Sequence, residues 1–585
     1  MYYPQLNETT ISRDQTNVFA GYNHTLRIGD GEFYDMKNLS STNYPVLSPR
    51  GVRGTYAEGD PQGMIAKDSL CYIDGSSFVM DEYKIDLGLT EGTKQLVSMG
   101  AYVIILPDKK YVNTADMSDY GDIEAVVTTT ANVTFTLTRM DSSDYSVQYV
   151  QTSEPKNPAN MTLWIDTSSE PHTLKQWSES SGMWVSIATT YVKIACPGIG
   201  KLFEEYDGIS IGGLTGALHN ADGAVISSEQ LADLNGSAIV YDRGEDFITI
   251  VGLLDQATTI SDSITISRVM PNMDFVIESN NRLWGCRYGT AVNGEVVNEI
   301  YASKLGSFKN WNCFMGISTD SYVVSVGTDG QFTGAVTHLG YPIFFKENFL
   351  HKIYGNYPSA YQVQTTACKG VQKGSGASLA IVNSTLYYKG VDGVYGYDGS
   401  LPTLVSEAFG EERYTDAVAG AHALKYYISM KNDEGRCLFV YDAAKGLWHK
   451  EDDADITAFC SCRDEMYFIE GAKIRTMFGS GTLDTEDTEW MAESGIIGTD
   501  SPDKKYISRI TIRMSLAIGT YIRLLAEYDS SGVWEELFTM TGNTLRTFAV
   551  PVRPKRCDHL RLRLEGQGEA KVFSLVKSVE EGSDA

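Results

Sequence analysis

Apolar and polar residues alternate with a period of two over much of this chain, in runs rarely longer than eight positions. Tyr506-Ile-Ser-Arg-Ile-Thr-Ile-Arg-Met, Tyr521-Ile-Arg-Leu-Leu-Ala-Glu-Tyr and His559-Leu-Arg-Leu-Arg-Leu-Glu keep this beat cleanly. Side chains along a strand point alternately to opposite faces, so such runs predict antiparallel strands with one buried face. Long Ala/Leu/Glu/Lys stretches of helical character are absent, while Tyr (35), Phe (21) and Gly (55) are abundant and Pro (16) is sparse. The pattern predicts an all-β protein.

The strands come in hairpins. Residues 64–80 read as strand, Asp-Gly turn, strand, and residues 94–106 supply two more strands. The same phrasing returns at 275–287, 338–354, 378–399, 425–449 and 456–471: an apolar run, a polar two-residue turn, an aromatic-rich run, then a Gly/Asp turn. Four strands in about 40–50 residues is the size of one β-propeller blade. The step Val440-Tyr-Asp-x-x-x-Gly-x-Trp448 resembles the outer hairpin of kelch-like blades. The hairpin beat stops between 121 and 267 and then resumes, so this region is predicted to be inserted between blades.

These boundaries give five segments: an extended N-terminal arm (1–60), the first part of the propeller (61–120), inserted β-modules (121–267), the remaining blades (268–500) and a C-terminal β-sandwich (501–585). The length agrees, since about 150 residues per domain predicts roughly four units. The arm is polar and irregular, with few apolar anchors, and is expected to order on a neighbouring molecule.

A net charge of −27 argues against a surface that grips nucleic acid, because phosphate binding needs Lys and Arg to displace counterions. The nine cysteines are scattered and odd in number, and Cys460-x-Cys462 is not a CxxC pair; free thiols of a reducing compartment are expected. No basic and apolar leader opens the chain, and no window approaches 18 apolar residues. Synthesis in cytoplasm without a membrane-spanning helix is the expectation.

Residues 34–53, Tyr-Asp-Met-Lys-Asn-Leu-Ser-Ser-Thr-Asn-Tyr-Pro-Val-Leu-Ser-Pro-Arg-Gly-Val-Arg, resemble the opening of the tail hub, nozzle or "stabilisation" proteins of short-tailed phages. The closing segment, with Pro554-Lys-Arg-Cys-Asp-His-Leu-Arg-Leu-Arg-Leu-Glu565 before a final strand, is similar to their last domain. The resemblance implies a structural virion protein forming a hexameric ring, with a portal-adaptor protein above and a tail fibre or tip protein below. Such a ring continues the DNA exit channel and retains the genome, and its acidic lumen lets DNA pass without sequence-specific binding. The protein would then reside in the virion tail after synthesis in the host cytoplasm.

Little in the chain reads as chemistry. Gly208-Ile-Ser-Ile-Gly212 matches Gly-x-Ser-x-Gly, but Ser210 sits in a period-two run with no helix text after it, so a strand serine is expected. The eight histidines show no metal-ligand spacing. Acidic turns at 116–122 and 451–455 could offer oxygen ligands to Ca²⁺, but neither fits an EF-hand, and solvated turns are expected. Ser-Ser-Gly-x-Trp at 180–184 and 530–534 reads as a tight turn. No catalytic residue, cofactor site or metal site is predicted, and the chain is expected not to be an enzyme.

Two groups are candidates for interaction. Arg546, Arg553, Lys555, Arg556, Arg561 and Arg563 concentrate positive charge in the last domain and could dock an acidic neighbour, a second copy included. Trp164, Trp177 and Trp184, on successive short strands of a module similar to one that recurs in phage tail and fibre proteins, could meet as a core cluster or stack on sugar rings. The rival reading from another class is therefore a glycan-binding or glycan-cleaving tail protein for host adsorption.

Overall fold

In the computed structural model, residues 10–226, 229–291, 294–484, 488–499, 504–542, 546–550 and 555–581 are described. Strands account for 52% of the chain and helix for 3%. The protein is all-β: a β-propeller with an inserted β-module region and a C-terminal β-sandwich.

Among the described residues, six four-stranded meanders and one five-stranded sheet carry the propeller pattern. They begin at Pro61–Ala66, Gln95–Met99, Phe275–Ser279, Gly334–His338, Ala380–Val382, Thr415–His422 and Ile456–Cys462. The stretch 61–122 holds two of these sheets, where the hairpins at 64–80 and 94–106 read as a single blade. The outer strands Tyr83–Asp86 and Tyr120–Asp122 escape the pattern because they are short and bury little: Tyr83 and Tyr120 face solvent. The seventh sheet takes its fourth strand from far upstream. Gly54–Glu58 pairs antiparallel with Lys473–Thr476, so the sheet joins two segments more than 400 residues apart in sequence.

Compactness divides the chain into two units, residues 1–96, 328–352 and 364–585, and residues 97–327 and 353–363. In the first, the sandwich is completed by the N-terminal segment. Thr10–Thr16 adds to the sheet of Ala570–Glu581, Lys505–Leu516 and Arg546–Val550. Gly21–Tyr22 and Glu32–Lys37 add to Glu489–Ser494, Leu560–Gln567, Tyr521–Tyr528 and Trp534–Thr541. Alternate residues fill the space between the sheets, among them Ile510, Ile512, Met514, Leu524, Leu562 and Leu564.

The arm expected to order on a neighbour is therefore part of this chain's own core. Phe19, Tyr22, Phe33, Met36, Leu39 and Leu47 are buried with residues of the sandwich and of the 380–450 sheets. These six side chains look sparse along the sequence, but all of them join one buried cluster.

In the second unit, residues 125–268 build a compact module of two sheets. One has the order Ala125–Thr128, Thr265–Arg268, Gly208–Gly212, Gly236–Ile239. The other runs Asp242–Arg243, Phe247–Val251, Tyr191–Ala195, Val133–Thr138, Thr258–Ile260. Phe135, Ile194, Ile211, Ile250 and Ile266 pack between them. A smaller four-stranded sheet, Tyr149–Gln151, Leu163–Asp166, Thr173–Ser178 and Met183–Ser186, is set into this module.

Candidate functional site

The stretch 34–53 is a strap fastened at both ends. Lys450 Nζ lies 2.9 Å from Asp35 Oδ1. Asn38 takes a left-handed backbone (φ 54°), which its short polar side chain tolerates. That bend lets its N–H donate to the Glu451 carbonyl (2.6 Å) and its side-chain amide to the Glu489 carbonyl (2.8 Å). Ser41 Oγ donates to Asp442 Oδ2 at 2.6 Å, and Lys445 Nζ donates both to that carboxylate (2.8 Å) and to the Ser41 carbonyl (3.0 Å).

The strap ends in a buried ion network. Arg53, 2% exposed, reaches Glu451 Oε2 at 2.8 Å and Asp452 Oδ2 at 2.6 Å, and Arg50 adds a 3.3 Å contact to Asp452. Burial alone would lower the Arg53 pKa; Asp452 and Glu451 outweigh it and hold the guanidinium above its ordinary value. Glu451 and Asp452 are thus not the solvated turn expected from the acidic run at 451–455. Their charge is neutralised by two arginines from the strap.

The basic residues of the last domain divide. Arg561 Nη1 lies 3.0 Å from Glu493 Oε1 and Arg563 Nη2 lies 2.6 Å from Glu493 Oε2. Glu493 is 5% exposed, so these arginines neutralise a buried carboxylate across the strand pair. Arg563 also stacks 4.0 Å from the Trp534 ring centroid, and Arg561 lies 4.8 Å from that of Tyr34. Lys555 pairs with Glu535 at 2.5 Å. Arg546 and Arg556 are exposed, and Arg553 lies outside the described residues.

The three tryptophans meet. Trp184 packs edge-to-face on Trp164 (5.3 Å) and on Trp177 (5.5 Å), with Trp177 and Trp184 directly opposite in register. Trp164 is 5% exposed and donates its indole N–H to the Gln151 carbonyl at 2.9 Å. Lys175 Nζ sits 5.0 Å from the Trp164 ring and 2.7 Å from Asp166 Oδ2. The Lys175 hydrogen bond, with help from Ser168, pulls the Asp166 carboxyl down to about 2.

Sequence reasoning passed over one relay. Ser530 Oγ lies 2.7 Å from His559 Nε2, and His559 Nδ1 lies 3.0 Å from Asp558 Oδ2. Ser530 and Asp529 both take left-handed backbones (φ 50° and 52°) in the tight turn, and Asp529 Oδ1 accepts the backbone N–H groups of Asp558 and His559. The relay can pass a proton from hydroxyl to imidazole. The N–H groups of Ser531 and Gly532, which a developing oxyanion would use, are already committed to the Tyr528 carbonyl and the Glu527 carboxylate. No spacing in the sequence signals the pair, because the turn and the Asp-His dipeptide sit on different strand ends.

Ser210 lies mid-strand between Ser237 and Ser267 in register. Asp116 caps its own turn through Ser118, and Asp122 pairs with Lys110 at 2.7 Å. No group of three or more metal-ligating side chains is found among the described residues. A cavity of about 470 Å³ opens in the sandwich, lined by Asp14, Phe19, Phe33, Leu524, Leu562 and Lys577 among others.

No family model matches the chain, and no curated protein matches it. Solved structures do. The acylaminoacyl peptidase of Pyrococcus horikoshii matches at 9% identity, 55% of this chain and 55% of that one, TM-score 0.26. The exo-β-1,3-galactanase of Phanerochaete chrysosporium in complex with β-1,3-galactotriose matches at 8% identity, 52% of this chain and 94% of that one, TM-score 0.21. The chain thus spans about half the length of the peptidase. The expectation that the chain is not an enzyme is corrected here, because the matching structures include hydrolases by name. At these identities and TM-scores the likeness assigns no reaction and no residue. No helix among the described residues is long and apolar enough to cross a membrane.

Proposed function

We propose that this chain is a tail hub or nozzle subunit of a short-tailed phage, assembling as a ring that forms part of the DNA exit channel and carries further tail proteins. The observation that supports this reading is the strap. The residues that carry the resemblance to hub proteins, 34–53, form one continuous tie from the sandwich strand Glu32–Lys37 to the closing strand Gly54–Glu58, held by Asn38, Ser41, Arg50 and Arg53. A subunit that carries load along a channel needs such ties between its parts. Heterologous contacts between copies close a ring when the rotation permits, and a charge of −27 per copy repels DNA sliding past. Residence in the virion tail, after folding in the host cytoplasm with nine free thiols, fits the same reading.

Electron microscopy and sedimentation of the purified full chain test it. Closed rings, formed alone or on addition of particles stripped of their tails, are expected. A protein that stays monomeric under both conditions would remove the hub reading. The second reading, a glycan-directed tail protein, has one specific observation in its favour: the aromatic outer face of the small sheet at 149–186.

A further inference from the structure

The small sheet has two faces with different jobs. Leu163, Ile165 and Leu174 turn inward and pack with Leu137, Val147 and Leu253. Because side chains alternate, Trp164, Asp166, Lys175 and Trp177 all project from the other face, with Trp184 opposite Trp177 and Tyr149 opposite Trp164 in register. Three indoles on the face that does not fill the core are an unusual investment for so short a sheet.

Two details argue that this face is made for a ligand. Trp164 is sunk and hydrogen-bonded, so it acts as a floor, while Trp177 and Trp184 are only partly covered, with Trp184 edge-on to Trp164 (70°) and to Trp177 (63°). The indole N–H of Trp184 is shielded from solvent and has no acceptor. A shielded donor without a partner is costly, a cost removed when a ligand oxygen displaces what covers it. Beside the rings, Lys175 and Asp166 form a closed ion pair, so the face presents hydrogen-bonding groups without net charge.

We propose that this face binds a neutral oligosaccharide, with one pyranose ring stacked on Trp177 or Trp184. An apolar ring plate, an indole N–H seeking an oxygen and a neutralised Lys–Asp pair match a sugar's C–H face and its hydroxyl rim. A polyanionic glycan is disfavoured, since the pair contributes no net charge to oppose the −27 of the chain. The site stands apart from the hub reading: rings without sugar binding would sink this proposal alone, and sugar binding without rings would sink the other.

The test is affinity electrophoresis and isothermal titration of the full chain against soluble dextran, laminarin and galactan, with hyaluronan as the polyanion. Retardation by at least one neutral polymer is expected, together with a tenfold or greater loss of affinity in Trp177→Ala and Trp184→Ala. Trp184→Phe keeps an aromatic ring, smaller than the indole, and removes the N–H, so it should weaken binding less than Trp184→Ala while leaving the far-ultraviolet circular dichroism unchanged. Failure of all three neutral polymers to bind, binding of hyaluronan alone, or wild-type affinity in Trp177→Ala and Trp184→Phe together would each overturn the proposal.

Discussion

Replacing Arg53 by Met probes the strap at its most buried point. The guanidinium is 2% exposed and holds Glu451 and Asp452, whose side chains are 6% and 11% exposed. Methionine fills the volume but leaves two carboxylates facing one remaining arginine, with Arg50 3.3 Å from Asp452 and 3.9 Å from Glu451. Breaking a buried pair from one side costs about 3–5 kcal/mol, because the abandoned charge stays buried. Since Arg50 still neutralises part of the charge, the lower half of that range, about 3 kcal/mol, is expected. The triple change Arg53→Met, Glu451→Gln, Asp452→Asn removes the charges together and should recover more than half of the loss. Urea unfolding, with hydrogen exchange read at 54–58 and 473–476, reports both the global midpoint and the local opening of the seventh sheet. Loss of protection confined to those strands is expected in Arg53→Met. A single mutant that matches wild type in midpoint and exchange would refute the claim that the network fastens the strap.

Removing residues 1–53 should do more than detach a tail. It strips six buried apolar side chains worth about 1.5–3 kcal/mol each, so an insoluble product or a large fall in melting temperature is expected from expression trials and calorimetry. In the last domain, Arg563→Glu places a second negative charge against buried Glu493 and should cost on the order of 2–3 kcal/mol in denaturant titration, whereas Arg556→Glu, at an exposed position, should change stability by less than about 0.5 kcal/mol. His351 is held down to about 4 by burial and by Lys346, with its ring nitrogens near Thr328 and Thr365 at 2.9 Å. The folded state keeps it neutral while the unfolded chain protonates it below its ordinary value of 6.5. Stability should therefore fall as pH drops from about 6.5 toward about 4, and His351→Gln should flatten that slope in pH-dependent thermal melts.

What the sequence made legible follows from how local each feature is. The sandwich strands at 505–516 and 560–567 alternate cleanly because one face is buried along their whole length, and the hairpin at 275–287 announces itself by its two-residue Asn-Asn turn. The closing of the seventh sheet by Gly54–Glu58 left no local mark: Gly-Thr-Tyr-Ala-Glu is weak strand text, and its partner lies more than 400 residues away. The arm was misjudged for the same reason, since Phe19, Tyr22 and Phe33 become core only after sequence-distant strands meet them. The basic run at 546–563 looked like one strip, yet Arg561 and Arg563, on one face of the strand Leu560–Gln567, reach Glu493, while Arg546 at the start of another strand and Arg556 outside any strand face solvent. The tryptophans could be grouped from their spacing, but not the fact that they share the face opposite the core.

Cryo-electron microscopy of the infectious particle carrying this chain bears most directly on its role. A six-fold ring at the distal end of the portal and its adaptor, with density that accepts the propeller sheets and the sandwich and encloses a continuous channel, is the result expected. A particle whose tail contains no such ring, or one in which this chain is found only on peripheral fibres, would contradict the hub reading and leave the glycan-directed reading in its place.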